Sequence, residues 1–101
     1  MAGFKITVLE RMSNLDLVEE YCQPDVDVPC PHFTDGQVFL IDDHQMPEGF
    51  CVWAWNDIRK VYLTLRFGGS FDGWMKEENT IIACCSDGLR PVVFEVQRLD
   101  D

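Results

Sequence analysis

Alternation in the first dozen residues, one helical periodicity in the middle and two apolar runs around a turn at the end predict an α+β fold. The expected architecture is a mainly antiparallel sheet of about four strands, with one long helix packed on it and one short helix.

In "FKITVLERM", Phe4, Ile6 and Val8 fall on one side and Lys5, Thr7 and Leu9 on the other, the pattern of a half-buried strand. "SNLDLVEEYC" places Ser13 three residues before Asp16, a capping-box spacing, and predicts a short helix from Leu15 to Tyr21 that Pro24 ends. The Pro- and Asp-rich "QPDVDVPCPHFTDG" predicts an extended loop carrying Cys30 and His32. "QVFLID" reads as a short strand. The main helix is expected from about Trp53 to Phe67, because Ala54, Ile58, Val61 and Leu65 share one helical face and Gly68-Gly69 follows as a stop.

"IIACCSDGLRPVVFEV" supplies the last two strands. A loop from Ser86 to Leu89 sets Cys84 across from Pro91 at a position without ladder hydrogen bonds, which suits a residue lacking an N–H. Parity then groups Ile81, Ala83, Cys85, Val92, Phe94 and Val96 on one face, with Ile82, Cys84, Pro91 and Val93 on the other. Neighbouring strand residues point to opposite faces, so Cys84 and Cys85 do not grip one ion together. Both faces are apolar. One is expected against the long helix and the other against a second layer or another subunit.

The 101 residues make one domain, 1–101, without repeats or an internal linker. No apolar run is long enough to span a bilayer, and Lys5 and Glu10 interrupt the first segment, so a cytoplasmic protein with reduced thiols is expected. Five cysteines, an odd number, argue against a disulfide scaffold. Eighteen acidic residues against eight basic give a formal charge of −10, which disfavours nucleic acid and anionic membrane surfaces as partners.

Three readings of function follow. The first is a small-molecule binding protein or accessory enzyme. Its aromatic and thiol-lined site lies where the long helix begins and approaches the 84–91 hairpin, with Cys51, Trp53, Trp55, Cys85, Asp87 and Arg90 as candidate ligand-binding residues. Arg90 would orient an anionic or carbonyl group, and Phe50, Phe67, Phe71, Trp74 and Arg66 lie in the surrounding segments. The second is a zinc or iron module using Cys22, Cys30 and His32, with Cys51 as an optional fourth ligand, whose thiolate and imidazole donors suit those metals although the compact Cys-x-x-Cys knuckle is missing. The third is a structural or interaction protein that forms a homodimer through the second apolar sheet face. No phosphate-binding glycine loop or Ser-His-Asp order is present.

"CPHF" followed by "GQVF", "EGFCVWAWNDI" and "ACCSDGLRPVVFEV" together resemble a family of short prokaryotic proteins without an assigned activity. The resemblance spans about Cys30 to Val96. It implies a small stand-alone protein with Cys30, Cys51, Cys84, Asp87, Gly88, Arg90 and Pro91 in its characteristic segments. It brings no cofactor or catalytic residue.

Overall fold

A computed structural model describes residues 3–99, so the outermost residues of the expected 1–101 domain lie outside the described span. In chain order the elements are β1 (Gly3–Arg11), α1 (Leu15–Tyr21), β2 (Val38–Ile41), α2 (Val52–Arg66), β3 (Thr80–Cys84) and β4 (Val92–Leu99). The strands form one antiparallel sheet in the order β2-β1-β4-β3, and the fold is α+β.

Alternation makes β1 the two-faced strand its sequence implies: Phe4, Ile6 and Val8 are buried while Leu9 is exposed. The same face continues through Phe39 and Ile41 of β2, Val92, Phe94 and Val96 of β4, and Ile81 of β3. α2 covers it with Ala54, Trp55, Ile58, Tyr62 and Leu65. Each large apolar side chain removed from water there contributes about 1.5–3 kcal/mol before conformational entropy is counted. Val61, expected on the buried face, is only half-buried. Trp55 and Tyr62 complete the buried face with Ala54, Ile58 and Leu65 instead.

α2 ends as its two glycines require. Gly68 adopts φ +90° and donates to the Leu65 carbonyl, while the Gly69 N–H reaches the Thr64 carbonyl at 2.8 Å. This paired closure satisfies carbonyls that the last helical turn cannot. α1 begins differently from the Ser13 capping box: its N-cap is Asn14, which makes no side-chain cap bond. The Asn14 amide instead donates to the Gly88 carbonyl, and its backbone N–H donates to Leu89. The side chain that could have closed the helix is used to hold the hairpin.

The hairpin register differs from the expected one by two residues. Cys84 lies opposite Val93 and not Pro91, and the Cys85 N–H bonds to the Val92 carbonyl. Asp87 causes the wider loop: its carboxylate accepts the Leu89 and Arg90 N–H groups at 2.9 and 3.0 Å, folding the segment on itself before the strand resumes. Pro91 thereby leaves the ladder and uses only its carbonyl, which accepts from Met12 N–H. A two-residue shift preserves parity, so the facial grouping stands: Ile81, Val92, Phe94 and Val96 are buried, while Ile82 and Cys84 are exposed.

The opposite sheet face carries Lys5, Thr7, Val38, Leu40, Ile82 and Glu95. Among the described residues no second layer covers it, and Val38, Leu40 and Ile82 are exposed.

Candidate functional site

The 22–37 segment has no regular structure, yet three anchors fix it. Phe33 is buried and stands edge-on to Phe39, Phe50 and Phe94 at 5.1–6.0 Å between ring centres. Such aromatic pairs add about 0.5–1.5 kcal/mol each beyond area burial. Arg11 donates to the Cys30 carbonyl and to Asp35, and Arg90 donates to the Asp27 carbonyl. An irregular segment is held where backbone carbonyls and one ring are bound.

Between this segment, the start of α2 and the β3–β4 hairpin lies a cavity of about 540 Å³. Its hairpin wall is Cys85, Ser86, Asp87, Gly88, Arg90 and Val92. Cys51, Trp53 and Ala54 supply the helix wall, and Cys30, Pro31, His32 and Phe33 supply the wall from the loop. The helix and hairpin walls are clasped together: the Ser86 N–H donates to Asp57 at 2.7 Å, and the Trp53 indole N–H donates to the Ser86 hydroxyl at 3.2 Å. Trp53 and Asp57 are four residues apart on one helical face, which lets both reach the same serine.

Among the described residues Arg90 is the one Arg or Lys at this cavity. Its Nε donates to the second Asp87 oxygen at 3.3 Å and its Nη1 to the Asp27 carbonyl at 3.1 Å. Both Nη2 hydrogens and one on Nη1 have no partner among the described residues. Burial raises the Asp87 carboxyl, but the Leu89 and Arg90 N–H groups and the Arg90 guanidinium outweigh it and hold the carboxyl below its ordinary range. Asp87 therefore stays ionised and keeps Arg90 oriented. α2 adds its N-terminal end, where Cys51 is the N-cap without a side-chain cap bond and the first-turn N–H groups are unpaired within the helix.

Of the candidate residues, Cys51, Trp53, Cys85, Asp87 and Arg90 line this cavity and Trp55 does not. Two residues along a helix turn a side chain about 200°, so Trp55 points into the core beside Phe50 and Tyr62. Phe50 is also a core ring, Phe71 packs on Trp74, and Arg66 lies over Phe67 at 4.8 Å; none of these lines the cavity. Phe33 and Ser86 are wall residues that the sequence did not single out. The CPHF segment was the available signal for Phe33, while nothing marked Ser86 beyond its place in the turn.

The Cys22, Cys30 and His32 set is not assembled. Cys30 and His32 share the loop wall, but Cys22 closes α1 outside it. Among the described residues no three His, Cys, Asp or Glu side chains are placed to hold a metal ion. All five cysteines are free. Cys84 and Cys85 diverge as alternation requires. Cys85 faces the cavity and its sulfur accepts the Val92 N–H, whereas Cys84 faces outward. Although Cys84 is exposed, partial desolvation of its sulfur raises the thiol, helped by Cys85 and Asp57.

A smaller polar cleft of about 290 Å³ lies between the end of α2 and the 70–79 segment, with Lys76, Glu77, Glu78 and Arg98 on its walls. It gathers no thiol, imidazole or exposed aromatic ring. Among the described residues no helix is long and apolar enough to cross a membrane. No protein-family model, curated protein or solved structure matches the chain.

Proposed function

We propose that the protein binds a small molecule bearing a carboxylate or carbonyl acceptor in the cavity between α2 and the β3–β4 hairpin. The observation that carries this reading is the oriented Arg90 guanidinium, with unclaimed N–H groups, at a cavity of about 540 Å³. Ligand sites are commonly apolar hollows of roughly 300–1,000 Å³ with a few placed polar groups. The walls here fit that description: Phe33, Trp53, Val92 and three thiols, with Arg90 and Ser86 as polar points.

Charge narrows the ligand. Asp87 sits beside Arg90 and the chain carries −10 overall, so a polyanion such as a phosphate ester meets net repulsion. A neutral carbonyl or a monocarboxylate is favoured. The three cavity thiols serve as soft apolar wall in this reading, as buried cysteines commonly do. They remain reduced in the cytoplasm expected from the sequence.

Titration of labelled protein with small monocarboxylates and ketones, followed by backbone amide shifts, tests the proposal. Shifts should concentrate at residues 51–54 and 85–92, and Arg90→Gln should weaken binding about tenfold or more, the loss of a charge-assisted hydrogen-bond pair. Absence of such shifts across the set overturns it.

A second reading is supported by the uncovered sheet face, where Leu40 is 68% exposed beside Val38 on one edge strand and Ile82 is exposed on the other. Pairing of two such faces would give a homodimer. Sedimentation at micromolar concentration decides it, since a monomer at that concentration rejects the reading.

A further inference from the structure

We infer that the ligand of the α2–hairpin cavity is planar and conjugated, an aromatic acid or carbonyl compound whose flat body lies against Trp53. The inference rests on the binding reading above and narrows it to a ligand class.

Most aromatic rings of this chain have a ring partner. Phe33, Phe39, Phe50 and Phe94 form a cluster that Phe50 joins to Trp55, Tyr62 and Phe4, and Phe71 packs on Trp74. Trp53 does not share in any of these contacts. It stands on the first turn of α2, 71% exposed, and still lines the cavity. Exposure alone would be unremarkable for a side chain free to move. This indole is restrained, because its N–H is bonded to Ser86 Oγ and Ser86 is held in turn by Asp57. Immobilising a large side chain costs rotamer entropy that burial ordinarily offsets, and here the protein supplies little burial.

The loop wall carries His32 and Phe33, arranged edge to face at 5.3 Å. The cavity is therefore bounded by an indole on the helix side and by an imidazole and a phenyl ring on the loop side. Arg90 supplies the polar end on the hairpin. A flat apolar body with one acceptor group uses all of these features together. A branched or saturated acid of equal size satisfies Arg90 but leaves the indole face poorly covered. Aromatic stacking contributes about 0.5–1.5 kcal/mol beyond area burial, which is roughly a two- to tenfold gain in affinity.

Benzoate, 2-naphthoate and cyclohexanecarboxylate, titrated into the labelled full chain, separate the alternatives. The readouts are the Trp53 indole N–H and the amides of 86–92. Benzoate should bind roughly two- to tenfold tighter than its saturated counterpart, and 2-naphthoate tighter than benzoate. Trp53→Leu should abolish that preference, the benzoate-to-cyclohexanecarboxylate affinity ratio falling to about one. Upfield ring-current shifts of the bound ligand protons in the unsubstituted protein provide a readout that needs no variant. Equal affinities for benzoate and cyclohexanecarboxylate, a preference that survives Trp53→Leu, or bound ligands without ring-current shifts overturn the planar-ligand inference while leaving carboxylate binding intact. If none of the three acids perturbs 86–92, carboxylate binding fails with it.

Discussion

Asp87 is the residue on which the hairpin and the cavity cation both depend, and two substitutions separate its roles. Its carboxylate accepts two backbone N–H groups, from Leu89 and Arg90, and one guanidinium N–H. Each backbone bond contributes about 1 kcal/mol net. The Asp87–Arg90 ion pair adds about 0–1 kcal/mol, because both side chains are close to one-third exposed and solvent screens them. Asp87→Ala loses all three interactions and should cost about 2–3 kcal/mol. Asp87→Asn keeps an amide oxygen for the two backbone donors and should cost at most about 1 kcal/mol. In thermal unfolding each kcal/mol corresponds to about 4–8 °C for a domain of this size. The charge also predicts a pH dependence. A carboxyl held below its ordinary range stabilises the fold fully above its unfolded value near ~3.9, and that stabilisation is lost as pH falls through the folded value. The gap between the native protein and Asp87→Asn, measured in urea, should accordingly be present at pH 7 and shrink below about pH 4. Equal losses in the two variants would show that charge, and not the backbone turn, holds the hairpin. No loss in either would remove Asp87 as its anchor.

Ile58 is fully buried under the sheet, so Ile58→Ala should cost about 2–5 kcal/mol in denaturant unfolding. Leu40→Ala, on the uncovered face, should stay within about 0.5 kcal/mol, and a comparable loss at both positions would contradict the assignment of faces. Gly68→Ala should cost about 1 kcal/mol, since φ +90° strains any residue with a Cβ although space is open around it; an unchanged melting temperature would refute this. Cys84 should alkylate more slowly at pH 8 than in the urea-unfolded chain, with a rate that climbs as pH rises, because partial desolvation, Cys85 and Asp57 raise its thiol. Mass mapping after iodoacetamide treatment checks it, and equal folded and unfolded rates would contradict it.

Local chemistry made much of this fold readable. Alternation in β1 put Phe4, Ile6 and Val8 inward, and the apolar spacing with its terminal glycines marked α2 to within a residue of its ends. Parity separated Cys84 from Cys85 without any knowledge of the partner strand. The hairpin register was not readable, because it depends on Asp87 accepting two N–H groups from its own loop, a choice invisible to strand patterns. Trp53 and Trp55 looked equivalent in composition, but helical rotation sent one to the cavity and the other to the core. Cys30 and His32 were legible as a candidate group and not as part of the same hollow as Trp53 and Cys85. Their placement comes from Phe33 in the ring cluster and from two arginines binding loop carbonyls, contacts reaching 19 and 63 residues along the chain.

The sheet joins the first strand to the last: Gly3 sits opposite Leu99, and β1 and β4 are its two inner members. A nascent chain emerging from a ribosome accordingly holds β1 without its main neighbour until β4 has left the tunnel. Assembly must wait for synthesis to pass the last strand, and such distant pairing slows folding. The same proximity suits the fold to circular permutation, with a short bridge joining the chain near Gly3 to that near Leu99 and a break opened in an exposed turn.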